Sequence, residues 1–232
     1  MMEKMISKMM PMYHLFAWMG LVIVLVAFWF ALQGAGANAA FFSADKATRE
    51  AAGTGSVLAV ANVVRHSVPA WVPSFKFLGL GVMLGAIVMA LGMIATTLRK
   101  LGQHVMDIWP EHLNPGVPKK PRSAKMFPMV MMMGWMVLII GFIWALVLNG
   151  TVVDYWNHAV ATELNPAGAG SAMLAQLGVI TSTLPWLGAI RITGMALLFT
   201  AITVALTVII RTLQTQEQIL TSYVKSMAGS GD

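Results

Sequence analysis

Apolar residues dominate this chain in four places, at about 12–33, 74–98, 127–149 and 187–210. Each run matches the roughly 20 helical residues that cross about 30 Å of hydrocarbon, so each predicts a transmembrane helix. Between them, 34–73 and 150–186 alternate polar and apolar positions and are too long for simple turns. That pattern predicts short interfacial helices in both loops, such as 43–52 and 56–65, with counterparts at 154–164 and 171–180. Gly53-Thr54-Gly55 and Asn165-Pro166 punctuate them. Past the fourth run, 211–226 lacks Pro and Gly, which predicts that the helix continues beyond the membrane, followed by a flexible tail at 227–232.

The pattern also repeats. Residues 53–98 laid over 168–213 match at 14 of 46 positions without a gap, including Gly53/Gly168, Gly55/Gly170, Ser56/Ser171, Trp71/Trp186, Gly79/Gly194 and Thr97/Thr212. Upstream, Lys8-Met9-Met10-Pro11-Met12 aligns with Lys125-Met126-Phe127-Pro128-Met129, which places Trp18 on Trp135. The expected fold is an all-α integral membrane protein whose four transmembrane helices form a tandem two-helix repeat. The first repeat covers 1–110, a Pro-rich linker covers 111–125, and the second repeat covers 126–226. Because each copy holds an even number of spans, the two run parallel in the membrane.

The first run follows Lys4 and Lys8 and precedes Ala37-Asn38-Ala39, as in a signal peptide. Its length and its repeat partner at 127–149 favour a true span. Composition agrees with a membrane protein: 58% hydrophobic residues, 10% charged and a mean hydropathy of +0.74. Ten basic residues (Lys4, Lys8, Arg99, Lys100, Lys119, Lys120, Arg122, Lys125, Arg211 and Lys225) flank one side of the spans, and the other five lie on the opposite side. That asymmetry predicts cytoplasmic termini and a cytoplasmic linker, in the inner membrane of a bacterium. The net charge of +6 sits beside spans, so anionic lipid, not nucleic acid, is the expected partner.

The chain offers little recognisable chemistry. Zero cysteines exclude disulfides, thiolate metal sites and thiol nucleophiles. All nine acidic residues fall outside the four runs, so no ionisable group is expected near midplane, as a proton- or cation-coupled carrier usually requires. No two histidines are placed in the runs to ligate haem. Phosphate loops, metalloprotease His pairs and nucleophile elbows are absent, and no enzyme activity is expected.

Three residue groups remain. Met129, Met132, Met133 and Met136, with His14, are candidate Cu(I) ligands by softness, although flexible methionines also fill irregular helix interfaces. Trp71 with Lys76, and Trp186 with Arg191 at the same repeat positions, fit headgroup anchoring or contact with a lipid or partner protein. Gly81/Gly85, Ala86/Ala90 and Ala201/Ala205 have the small-xxx-small spacing that lets helices approach closely. Together these features predict a non-catalytic subunit that scaffolds a larger inner-membrane complex of respiratory, energy-converting or secretion type. It would contact membrane lipids and other integral subunits, with bound lipid and no required cofactor. The alternatives are a small oligomeric channel, transporter or copper-handling protein, or a quinone-binding anchor of a redox enzyme.

Overall fold

The computed structural model describes residues 10–107, 123–168 and 170–229. The first nine positions, the last three and nearly all of the predicted linker at 111–125 lie outside the described residues. Among the described residues every regular element is helical. After a 3-10 turn at Met10–Met12 come α1 (Tyr13–Ser43), α2 (Lys46–Glu50), α3 (Val57–Asp107), α4 (Ser123–Trp156), α5 (Val160–Leu164) and α6 (Ser171–Gly229). Four of these, α1, α3, α4 and α6, are long and apolar enough to cross a membrane, so this is a multi-pass membrane protein with apolar helix surface facing lipid.

The helices outrun the apolar stretches that announce them. Helix α1 continues through the Ala-rich segment 35–40 to Ser43, because alanine is the strongest helix former. The stretches 56–65 and 171–180 do not form separate interfacial helices. They are the opening turns of α3 and α6, and only α2 and α5 are short helices in the connections. In α3 the Ser56 hydroxyl accepts from the Ala59 N–H at 3.2 Å, and no glycine interrupts the helix before Gly79. Pro69 and Pro73 lie inside α3, where each removes one N–H, yet the helix runs through both.

One compact unit comprises Trp18–Met83 and Gly134–Ala196. Its core joins Ala145, Leu148, Val152 and Tyr155 of α4 to Met173, Ile180 and Leu187 of α6, with Ala70 of α3. The α4 positions step by three or four and the α6 positions by seven, so each helix contributes one face. Glycines set the closest approaches. A Cβ on Gly20 of α1 would lie 2.7 Å from the Gly79 carbonyl oxygen of α3, and one on Gly79 would lie 3.0 Å from that of Gly20. Backbone against backbone leaves no room for a methyl group. Trp135 Nε1 donates to the Gly81 carbonyl at 2.9 Å, and Ser67 Oγ donates to Asn149 Oδ1 at 2.7 Å. Gly55 and Gly170, which are equivalent in the sequence alignment, both adopt positive φ (78° and 102°), a backbone state open to glycine at little energetic cost.

The other unit takes in Leu84–Met133 and Leu197–Asp232, with the residues before Trp18. Leu198, Ala201, Ala205 and Val208 form the buried face of α6 there. Gln216 Nε2 donates to the Leu98 carbonyl at 2.7 Å, holding the C-terminal part of α6 beside the end of α3.

Candidate functional site

The main concentration of polar chemistry lies in the first of these units, where the connections α1–α3 and α4–α6 meet. Asp45 caps α2 by accepting from the Thr48 N–H at 2.9 Å and the Thr48 hydroxyl at 2.7 Å, bonds that hold its own carboxyl below the usual carboxylate range. The cap fixes the direction of α2 and therefore of Arg49. On the other connection, the Val160 N–H donates to the Ala52 carbonyl at 3.2 Å, and Phe41, Ala52, Ala61 and Val160 close into a small apolar cluster. Tyr155 is buried and its hydroxyl donates to the Glu163 carbonyl at 3.1 Å, tying α5 to the end of α4.

These ties carry Glu163 inward. Its side chain is only 3% exposed, and Asn62 of α3, itself buried, donates from Nδ2 to Glu163 Oε2 at 2.5 Å. Asn62 is used three ways: its Oδ1 accepts from Arg65 Nε at 2.7 Å, and its backbone carbonyl accepts from His66 Nδ1 at 2.9 Å. That last bond requires the His66 proton to sit on Nδ1. The His66 ring stacks on Trp156 with centroids 3.6 Å apart and planes 6° from parallel. Burial pushes the Glu163 carboxyl up from 4.5 to about 7, although the Arg65 charge and the Asn62 bond pull it down. A carboxyl that titrates near neutrality can hold or release a proton under ordinary conditions.

Two arginines stand over aromatic faces beside it. The Arg65 guanidinium lies 4.2 Å from the Phe41 ring centroid and 4.9 Å from that of Phe42, while Arg49 lies 4.9 Å from Phe42 and 5.5 Å from Phe41. A cavity of about 230 Å³ opens among Arg49, Arg65, Asn62, Glu163, Phe42 and Trp156. Arg49 Nε and Glu163 Oε1 are buried atoms without a hydrogen-bond partner. No family model, curated protein or solved structure matches this chain. The chemistry of the site therefore rests on its own residues.

The residues singled out from sequence are differently placed. Met129, Met133 and Met136 are exposed on α4 and Met132 is half-buried, while His14 is exposed with its ring against Tyr13 at 3.7 Å. The repeat partners Lys76 and Arg191 diverge: Lys76 is exposed, whereas Arg191 is half-buried and donates from Nε to Ser74 Oγ at 2.8 Å. Trp71 packs edge-on against Phe30 at 5.0 Å, but Trp186 is 68% exposed. Gly81, Gly85, Ala86, Ala201 and Ala205 are buried and Ala90 half-buried, while the tightest approaches fall at Gly20, Gly34, Gly79, Gly102, Gly141 and Gly194. In the second unit, an apolar cavity of about 260 Å³ is lined by Tyr13, Ala90, Met93, Ile94, Thr97 and Leu98.

Glu163 is an ionisable residue whose burial the sequence did not single out. It lies outside the apolar runs, where an acidic residue ordinarily reads as solvated, and its partner Asn62 is 101 residues away. One signal was available. Asn62, Arg65 and His66 align with Leu177, Ile180 and Thr181 in the second copy, and Ile180 belongs to the apolar core. Polar Asn62 and Arg65 at positions apolar in the other copy mark a departure from shared packing.

A second feature lies on α6 on both sides of Arg211. Leu206, Ile210, Leu213, Leu220 and Val224 are all exposed, and with Glu217 they follow a 4-3-4-3-4 spacing. That spacing places them along one seam of the helix, the arrangement of the a and d positions in a coiled coil. Branched Ile210 and Val224 alternate with leucines, as in a two-stranded seam.

Proposed function

We propose that this chain is a non-catalytic membrane subunit that scaffolds a larger protein assembly. The observation that carries this reading is the exposed seam of α6. Within the apolar run, Leu206 and Ile210 are satisfied by lipid. Past Arg211 the neighbouring positions turn to Gln, Thr and Glu, while Leu213, Leu220 and Val224 keep to the same line. Apolar side chains at heptad spacing on an otherwise polar helix fit a second helix better than water. Glu217 occupies one seam position, so a partner helix with Lys or Arg opposite it complements the seam, whereas a parallel copy in register would set two carboxylates together.

In this reading the chain is a parallel tandem repeat in a bacterial inner membrane, with termini and linker on the cytoplasmic side. The basic residues flanking the spans support that orientation, and the shared positive φ of Gly55 and Gly170 supports the repeat. Lipids contact the spans and other integral subunits contact the seam.

The test is site-specific photocrosslinking from position 220 in native membranes, followed by mass spectrometry of the adducts and native mass spectrometry of the gently extracted protein. A discrete foreign membrane protein at fixed stoichiometry is expected. Adducts to lipid alone, or to a second copy of this chain alone, would sink the scaffold reading.

A further inference from the structure

Helix α5 is a weak element held in place by a few ties. It has five residues, its N-cap Ala159 makes no side-chain bond to the first turn, and Asn165-Pro166 follows it, so it has little stability of its own. Across to α3 and the α1–α3 connection it is held by the Val160 N–H on the Ala52 carbonyl, the cluster of Phe41, Ala52, Ala61 and Val160, and Glu163 on Asn62. The Tyr155 hydroxyl ties it only to α4, the helix it follows. A segment so tethered opens more readily than the spans.

The seat of Glu163 suits one charge state. The residue is 3% exposed, Oε2 accepts from Asn62 Nδ2, and Oε1 is closed to water without a donor. No counter-charge meets it: among the described residues the ion pair within 4 Å is Lys46–Glu50, at 3.6 Å. A neutral carboxyl tolerates one unmet oxygen at modest cost, whereas a carboxylate carries a full charge into the same dry seat. The neighbouring groups are engaged elsewhere. On α3, Arg65 is bonded to Asn62 Oδ1 and His66 to the Asn62 carbonyl. On α2, Arg49 rests over Phe42, Lys46 faces Glu50, and Asp45 is spent on Thr48. Tyr155 of α4 donates to the Glu163 carbonyl, and His158 after it is bonded to the Tyr155 carbonyl. Beside the seat lies the cavity of about 230 Å³, with room for several waters and with Lys46, Arg49 and Arg65 in its lining. A carboxylate turned into it gains water and positive surroundings and gives up the Asn62 bond.

We propose that Glu163 is a proton-dependent latch on α5. Protonated, it stays in its seat and pins α5 to α3; ionised, it turns into the cavity, and the connection at 157–168 loosens from α3. Burial raises the seated carboxyl to about 7 from the ordinary 4.5, so protonation favours the closed form. The opening equilibrium therefore grows by up to about tenfold per pH unit between about 4.5 and about 7, and levels off above that. The latch is independent of the seam on α6, and either stands if the other fails.

The test is hydrogen exchange, read by mass spectrometry, on the full-length protein in nanodiscs at about pH 5 and about pH 8, values that bracket the steep part of that titration. Labelling times are scaled to the intrinsic exchange rate, so that only protection is compared. The wild-type peptide covering 157–168 should lose at least about tenfold in protection at the higher pH, while 145–152 in the α4 core holds. Glu163→Gln, which cannot ionise and keeps an oxygen for Asn62, should retain its low-pH protection. His158→Gln, which removes the exposed imidazole nearby, should respond like the wild type. Equal protection of 157–168 at both pH values in the wild type, as when Arg65 takes up the carboxylate in place, would overturn the proposal. So would a loss that persists in Glu163→Gln or disappears in His158→Gln. The wild-type comparison can overturn the latch by itself, so misfolding of a variant leaves it falsifiable.

Discussion

Asn62 donates to Glu163 across 101 residues of sequence, and this bond of 2.5 Å joins α3 to the connection between α4 and α6. Asn62 also accepts from Arg65, so one amide serves a carboxylate and a guanidinium together. Asn62→Ala should therefore strand both charged groups. A loss of about 2–3 kcal/mol is expected, read as a lower thermal midpoint in detergent. Hydrogen exchange should rise first across 157–170, while an unchanged midpoint would mean the amide is dispensable.

The same carboxyl gives stability a definite dependence on pH. Its folded-state value, about 7, lies above the ordinary 4.5, so the stability that protonated Glu163 contributes is fully present below about 4.5. It is lost as pH rises through about 7, with a slope of up to about 1.4 kcal/mol per pH unit. Thermal unfolding of wild type and Glu163→Gln between pH 5 and 8, spanning about the window of that titration, should show the wild type losing ground as pH rises. Parallel curves would mean that Glu163 keeps its ordinary value.

Two glycines in one helix should behave oppositely. A methyl on Gly20 meets the Gly79 carbonyl oxygen at 2.7 Å and the Met83 nitrogen at 2.9 Å, both backbone atoms that cannot turn aside. Gly36 of the same helix has open space around its Cβ position. Gly20→Ala should destabilise by about 1–3 kcal/mol through forced separation of α1 and α3. Gly36→Ala should be neutral or stabilising by up to about 1 kcal/mol, since alanine is the better helix former. Thermal midpoints of the two variants decide the matter, and equal effects would contradict the close approach.

The repeat partners Lys76 and Arg191 should also part company. Ser74, 2% exposed, accepts from Arg191 Nε, so Ser74→Ala leaves a half-buried guanidinium short of an acceptor. That change should lower stability by about 1–2 kcal/mol. Lys76→Ala, at an exposed position, should stay within about 0.5 kcal/mol. The comparison needs only chemical or thermal unfolding of both variants under one condition. A larger effect at Lys76 would restore a common anchoring role.

Sequence by itself determined the four spanning helices and the membrane setting. A continuous apolar run in a bilayer must satisfy its own backbone hydrogen bonds, so composition and length alone dictate helix. Sequence also marked Gly55 and Gly170 as equivalent, although their positive φ appears only in the backbone. Tertiary structure decided where the runs end and what they meet. Helix α3 starts well before its apolar run and carries Pro69 and Pro73 inside it, because a proline removes one hydrogen bond without dictating where the surrounding helix must break. The candidate methionines are largely exposed, whereas Glu163, which the sequence did not single out, is buried. Periodicity reports which face of a helix is apolar. It carries no information about a partner 101 residues away, and only packing brings a carboxylate, an amide and two guanidiniums around one cavity.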